Sequence, residues 1–252
     1  MRGFILAAGL GTRLRPLTLT TPKPLVPIGG EPLLARAIKQ LRDAGVREIA
    51  VNAFHLADQI IEFVGDGSQF GVSAQVFDER PLVLGTGGGL KNAEAFLCAG
   101  DEPFVLVNAD VWHNFDLKEF IAGHRRNNIA TMAMHVSDRR PELHTVGCAR
   151  NGRIAHVAQK PVDIAADFVA IYTGVAVIEP RLLAFFPSNE VCSLVGEGLW
   201  PAMRVEETLA WLEPKGGWFD CGTHAEVLRA SAFALRARRK GERGGSASAA
   251  GL

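Results

Sequence analysis

Short apolar runs alternate along the chain with segments whose apolar positions recur every three or four residues. Residues 3–8 (G-F-I-L-A-A) are continuously apolar, the pattern of a strand buried on both faces. A polar stretch rich in Pro, Gly and Thr then runs from Gly9 to Gly30. A loop of that length inside a compact domain is commonly functional. Pro32 suits a helix start, and Leu33, Leu34, Ala37, Ile38 and Leu41 keep helical spacing until Gly45 stops it. Residues 48–52 and 73–77 read as further strands, with a helix near 56–64 between them. Helical pattern at 90–97 leads to a fourth strand at 104–108 and a helix at 117–126. Strands and helices alternating at these lengths predict right-handed crossovers and a mostly parallel sheet.

From about residue 131 the alternation weakens. Residues 132–136, 145–149, 154–158 and 171–178 read as strands, partly antiparallel, with short helices near 180–186 and 199–205. A last helix is predicted over 224–239, and residues 236–252, basic and then rich in Gly, Ser and Ala, read as a flexible tail. The expectation is one α/β domain over 1–235, whose parts meet near residue 130.

Composition narrows the function. The 252 residues are 48% apolar and 21% charged, which is globular composition. Lys plus Arg and Asp plus Glu are 27 each, so no bulk field draws the chain to nucleic acid or a membrane surface. Phosphate recognition therefore has to come from a local cluster. Cys98, Cys148, Cys192 and Cys221 are far apart and lack zinc spacing, as expected of free thiols in a reducing cytosol. The N-terminal apolar run is too short for a signal peptide or membrane span, and a cytoplasmic location is expected.

The chemistry concentrates in four segments. Gly9-Leu10-Gly11-Thr12-Arg13-Leu14-Arg15-Pro16-Leu17-Thr18, then Thr21-Pro22-Lys23-Pro24, leaves the carboxyl end of the first strand, where open α/β sheets bind ligands. Glycines there let backbone N–H groups approach phosphate oxygens, Arg13 adds a forked donor and Lys23 a point charge. A P-loop is absent, and Leu14 stands where a dinucleotide fingerprint needs its third glycine. A second cluster, Leu84-Gly85-Thr86-Gly87-Gly88-Gly89-Leu90-Lys91, suggests close approach of backbone to a flat or bulky ligand part. A plain helix-entry turn is the structural alternative. Asn108-Ala109-Asp110 ends the fourth strand, where Asp110 is placed to bind Mg2+. Trp218-Phe219-Asp220-Cys221-Gly222-Thr223 precedes the last helix.

G-x-G-T-R-x-R-P-L-T followed by P-K-P resembles the signature of the sugar-phosphate nucleotidyltransferase family. The resemblance implies a Rossmann-like three-layer α/β/α fold, with a nucleotide-binding part to about residue 130 and a smaller mixed-sheet sugar-binding part after it. It implies that Ala8, Gly9, Gly11, Thr12, Arg13 and Lys23 hold a nucleoside triphosphate, with Arg13 on the β and γ phosphates and Lys23 near the transferred phosphate. Gly85, Thr86 and Gly87 would contact base and sugar. The W-x-D-x-G-T segment makes Asp220 the second Mg2+ ligand beside Asp110, and these two with Arg13 and Lys23 form the catalytic set. Gln159-Lys160-Pro161 resembles the family's E-K-P, so Lys160 would bind the sugar's phosphate, with Gln159 in place of the usual glutamate. Asn108 and Gly174, from Tyr172-Thr173-Gly174-Val175, are the other sugar-facing candidates.

The T-G-G-G-L-K form is similar to that of small N-acetylmuramic acid 1-phosphate uridylyltransferases, although Gly85 stands where they often carry an acidic residue. UTP is thus the favoured triphosphate and GTP, with mannose 1-phosphate, the next. A monomer or small homo-oligomer is expected, with no nucleic-acid partner. A reading of another class, a nucleotide-sugar-binding regulatory subunit without catalysis, predicts loss of a carboxylate or cationic contact; Arg13, Lys23, Asp110, Lys160 and Asp220 are all present.

Overall fold

The computed structural model describes residues 1–136, 145–157, 160–161, 165–188, 190–205 and 207–246. β1 (Arg2–Leu6) opens into the polar stretch, which is not plain loop. It forms single 3-10 turns at Thr12–Leu14, Leu17–Leu19 and Lys23–Leu25, then a ribbon of β2 (Pro27–Ile28) and β3 (Glu31–Pro32). Local bonds such as Leu14 N–H to Gly11 O at 2.9 Å impose these turns where the polar pattern predicts none. α1 (Leu33–Asp43) buries Leu33, Leu34, Ile38 and Leu41, each worth about 1.5–3 kcal/mol. It stops before Gly45, whose φ of 98° continues no helix.

β4 (Glu48–Ala53), α2 (Ala57–Val64) and β5 (Ser73–Asp78) follow as predicted within a residue or so. The next helical segment departs from the pattern. In place of one helix over 90–97 there are α3 (Gly85–Asn92) and α4 (Glu94–Leu97), so the glycine cluster itself is helical. β6 (Phe104–Asn108), β7 (Val111–His113) and α5 (Leu117–Ala122) come next. α5 ends short of the predicted residue 126, with Gly123, a poor helix former, as its C-cap.

The second half contains β8 (Asn128–His135), β9 (Val146–Cys148), β10 (Ile154–Val157), β11 (Lys160–Pro161) and β12 (Phe168–Ile178). A 3-10 segment at Pro180–Phe185 and a π-helical one at Leu194–Leu199 lead to α6 (Trp200–Arg204). β13 (Thr208–Leu212), β14 (Trp218–Asp220) and α7 (His224–Ser246) complete the chain. α7 runs past residue 236, where the tail was expected to begin. Arg238 on it donates to Gly29 O at 3.1 Å, tying the helix to the β2–β3 ribbon. The rest of the predicted tail, residues 247–252, lies outside the described residues.

β6, β1, β4 and β5 are neighbouring parallel strands that run to one edge of a ten-stranded sheet, where β5 is the last. β12 joins β6 antiparallel and starts the mixed part: β8 and β9 pair antiparallel with β12 and β10 with β9, while β13 lies parallel to β8. Alternation along β1 divides the core: Phe4 packs with Leu90 and Leu106 on one face, Ile5 with Ile38 and Val105 on the other. Helices cover both faces, giving the predicted three-layer α/β/α architecture. Among the described residues no helix is long and apolar enough to cross a membrane.

Candidate active site

β1 and β6 run parallel with Leu6 opposite Asn108, so the loops leaving them open at the same end of the sheet. A cavity of about 320 Å³ lies there, lined by Gly9, Gly11, Thr12, Arg13, Lys23 and Asp110. Gly11 has φ 62°, and a Cβ on it would fall 2.9 Å from Thr18 Cγ2. Glycine thus lets the loop turn tightly over buried Thr18, whose hydroxyl donates to Gly11 O at 2.8 Å. Gly9, by contrast, has nothing within 4 Å of where a Cβ would stand.

Asp220 ends β14, and Asp110 directly precedes β7, the strand with which β14 pairs. β14 runs antiparallel to β7 with Asp220 opposite Val111, and Cys221 N–H donates to Asp110 O at 3.1 Å. Each carboxylate holds one cation of the first loop. Lys23 Nζ lies 2.9 Å from Asp110 Oδ2, and Arg13 Nη1 lies 3.7 Å from Asp220 Oδ2. The Lys23 side chain is 7% exposed and that of Arg13 60%, so the lysine is a fixed charge in the floor and the arginine a mobile one at the rim. Gly222 admits that arginine, since a Cβ there would sit 2.5 Å from Nη2. Burial pushes the neighbouring Cys221 thiol up to about 12, keeping it neutral beside the acids.

These donors suit a hard cation that shares its coordination with phosphate. Among the described residues no three His, Cys, Asp or Glu side chains form a metal cluster, which leaves two carboxylates and no protein cage. Mg2+ is habitually held in that way, by one or two carboxylates with waters and substrate phosphates filling the remaining positions.

A second cavity of about 180 Å³ adjoins the first, with Gly9 and Asp110 lining both. Ala8, Gly85, Thr86 and Asn108 are on its wall. Gly174, at φ 84°, packs against Asn108, where a Cβ would fall 2.9 Å from that of the asparagine. Asn108 Oδ1 is buried with no hydrogen-bond partner among the described residues. Gly87 lines neither cavity, and its N–H goes to Cys192 O at 2.9 Å. On the side where Cβ atoms would stand, glycines of this cluster are approached by protein. Added Cβ atoms would meet Cys192 O at 2.6 Å from Gly85, Ser193 O at 2.8 Å from Gly87 and Glu190 O at 2.8 Å from Gly88.

Lys160 lies on β11, in the mixed part of the sheet, and Gln159 lies outside the described residues. Asn52, on the wall of the second cavity, is not singled out by sequence reasoning. Its one signal is a polar residue near the carboxyl end of an otherwise apolar strand. Glu79 precedes the second glycine cluster, and nothing in the sequence shows that it is buried.

Residues 2–237 match the profile of the nucleotidyl transferase family. Over 243 residues the chain is 30% identical to a mannose-1-phosphate guanyltransferase of Yarrowia lipolytica, an alignment covering 95% of this chain and 66% of that protein. It is 30% identical over 239 residues to an N-acetylmuramate alpha-1-phosphate uridylyltransferase of Neisseria meningitidis serogroup B, covering 93% of this chain and 98% of the relative. Among solved structures, a Bacillus anthracis protein provisionally assigned as a glucose-1-phosphate thymidylyltransferase superposes with a TM-score of 0.80 at 26% identity, covering 93% of this chain and 95% of that one. The chain spans slightly under two thirds of the Yarrowia relative and 55% of a Synechocystis UTP–glucose-1-phosphate uridylyltransferase. With the glycine loop, its two cations and Asp110 around one cavity, and Asp220 paired to Arg13 beside it, the match over nearly the whole sequence shows that the chain belongs to the nucleotidyl transferase family.

Proposed function

We propose that the protein transfers a nucleotidyl group from a nucleoside triphosphate to a sugar 1-phosphate. The observation that carries this is the convergence of Arg13, Lys23 and Asp110 at one cavity, with Asp220 joined to them through Arg13, from three distant parts of the chain. In the reaction, an oxygen of the sugar phosphate attacks the α-phosphorus. The bond from that phosphorus to the bridging oxygen of the β phosphate breaks, and pyrophosphate leaves. With a second pKa of about 6, the attacking phosphate is already mostly dianionic at neutral pH and needs no general base. Repulsion between anions is the obstacle, so fixed cations are the catalytic resource.

Lys23, held in the cavity floor, offers its ammonium to the transferred phosphate. Arg13 at the rim swings between Asp220 and the outer phosphates. Asp110 and Asp220 would hold Mg2+, which supplies further charge neutralisation at the phosphates. Asn108 presents an unpaired amide oxygen where a sugar hydroxyl can donate to it, and Lys160 is assigned to the sugar's phosphate by the likeness of its segment.

UTP with N-acetylmuramic acid 1-phosphate is the favoured substrate pair. The T-G-G-G-L-K segment supports it, as does the Neisseria relative, which this chain matches over 98% of its length. GTP with mannose 1-phosphate is the second reading, supported by the similarity to the Yarrowia guanyltransferase. The test is a grid of UTP, GTP, CTP, ATP and dTTP against several sugar 1-phosphates, read as pyrophosphate release with and without Mg2+. Release with one pair, dependent on Mg2+, is the expected result. Tight nucleotide-sugar binding with no release from any pair would instead favour a regulatory subunit.

A further inference from the structure

Two buried polar side chains stand between the loops that wall the nucleotide cleft. Asn52, near the end of β4, is 1% exposed, and Glu79, just past β5, is 5% exposed. Asn52 Oδ1 accepts the N–H of Ala7 at 2.6 Å, where the first glycine loop departs. Asn52 Nδ2 donates to Glu79 Oε1 at 2.7 Å. Glu79 Oε2 in turn accepts the N–H of Leu84 at 2.8 Å, where the glycine cluster begins. We propose that Asn52 and Glu79 are positioning residues that lock the first glycine loop and the second glycine cluster into one register, so that both walls of the cleft move as a unit.

Three observations support a relay rather than two unrelated contacts. Its outer bonds end on the backbone of different loops, and both inner partners are buried. Space for it is made by Gly89, where a Cβ would stand 2.8 Å from both Asn52 Nδ2 and Glu79 Oε1. A buried carboxyl is also a costly way to fill a core, and burial raises that of Glu79 above its ordinary range. Packing alone would be met by an apolar pair; aligning two backbone N–H groups is not.

The kinetic consequences rest on the nucleotidyl-transfer reading, whereas the coupling does not, so the test has two arms. In the first, amide hydrogen exchange is followed by mass spectrometry in the full chain without substrate. Glu79→Ala should speed exchange across residues 7–11, which Glu79 does not touch, by about tenfold or more, as expected for loss of a buried hydrogen bond. Asn52→Ala should do the same across residues 84–86. Changes confined to the loop next to each substitution would overturn the relay.

The second arm uses conservative variants that keep volume. Asn52→Asp alone sets two carboxylates against each other, and Glu79→Gln alone leaves one bond unmade. Together they restore every donor and acceptor: the introduced aspartate accepts from Ala7 N–H and from the new amide, whose oxygen accepts from Leu84 N–H. Each single variant should raise KM for the nucleotide about tenfold more than KM for the sugar phosphate, and the double variant should recover most of that loss. A double variant as impaired as the worse single one, in exchange and in KM alike, would also overturn the proposal. Wild-type protein that releases no pyrophosphate from any pair sinks the functional reading, and exchange still decides the relay.

Discussion

The two glycine-rich segments look alike in sequence and serve opposite ends. In the first, Gly9 faces open space and, with Gly11, lines the larger cavity. In the second, Gly85, Gly87 and Gly88 admit the backbone and ring of the 186–193 segment. The side chain missing at Gly9 leaves room for a ligand; those missing at Gly85, Gly87 and Gly88 leave room for the protein. Glycine density alone therefore reports that something comes close, and only charge nearby says what. Arg13 and Lys23 attend the first segment, and each is held by an aspartate.

That contrast is open to four measurements. The largest effect is expected at the charges. Asp110→Asn should lower turnover about 10²–10³-fold, some 3–4 kcal/mol, with the thermal midpoint nearly unchanged. Near-normal pyrophosphate release from this variant would remove the charge half of the contrast.

Acid should next separate the regions. His113 is buried against α1, with Gln40 Nε2 3.2 Å from its Nδ1, and burial holds its pKa down to about 3 against an ordinary 6.5. Its neutral form therefore contributes stability above pH 6.5, and that contribution is lost as pH falls from there towards 3. Hydrogen exchange in α1 and β7 should rise over that window before it does in α3, and His113→Gln should flatten the rise. Simultaneous loosening of all three elements would count against it.

Glycine substitutions sharpen the comparison further. Gly87→Ala sets a Cβ 2.8 Å from both Phe186 Cε1 and Ser193 O, so about 1–3 kcal/mol of stability should go, measured by urea unfolding. Gly9→Ala meets nothing and should stay within about 0.5 kcal/mol of wild type, while raising KM for the nucleotide. If Gly9→Ala unfolds the protein and Gly87→Ala does not, the two segments have been assigned the wrong way round.

β1, β4 and β6 were legible because strands buried on both faces are written as mostly apolar runs, such as Phe104-Val105-Leu106-Val107. Glycine-rich α3 was not. Its helical form depends on distant partners: Gly87 and Gly88 N–H donate to Cys192 O, and Thr86 Oγ1 accepts from Leu194 N–H. Helix propensity carries no trace of such contacts. The same division runs through the site. Arg13 and Lys23 stand out because they lie in a long Gly- and Pro-rich stretch that leaves a strand end, and Asp110 because it follows the end of another strand. Asp220 needed its family likeness, since its meeting with Asp110 depends on the pairing of β14 with β7. Asn52 was hidden, because one buried amide in a strand looks the same whether it bridges two loops or only caps a core.

That pairing of β14 with β7 also bears on the order in which the molecule becomes complete. As the chain emerges during synthesis, the parallel strands and their helices can close around both faces of the sheet while β14 has yet to appear. Until it docks, Asp110 has no acidic neighbour and Arg13 no anchor. A nascent or truncated chain that already carries the phosphate loop is thus left with half a cleft, and the last strand to arrive acts as its keystone.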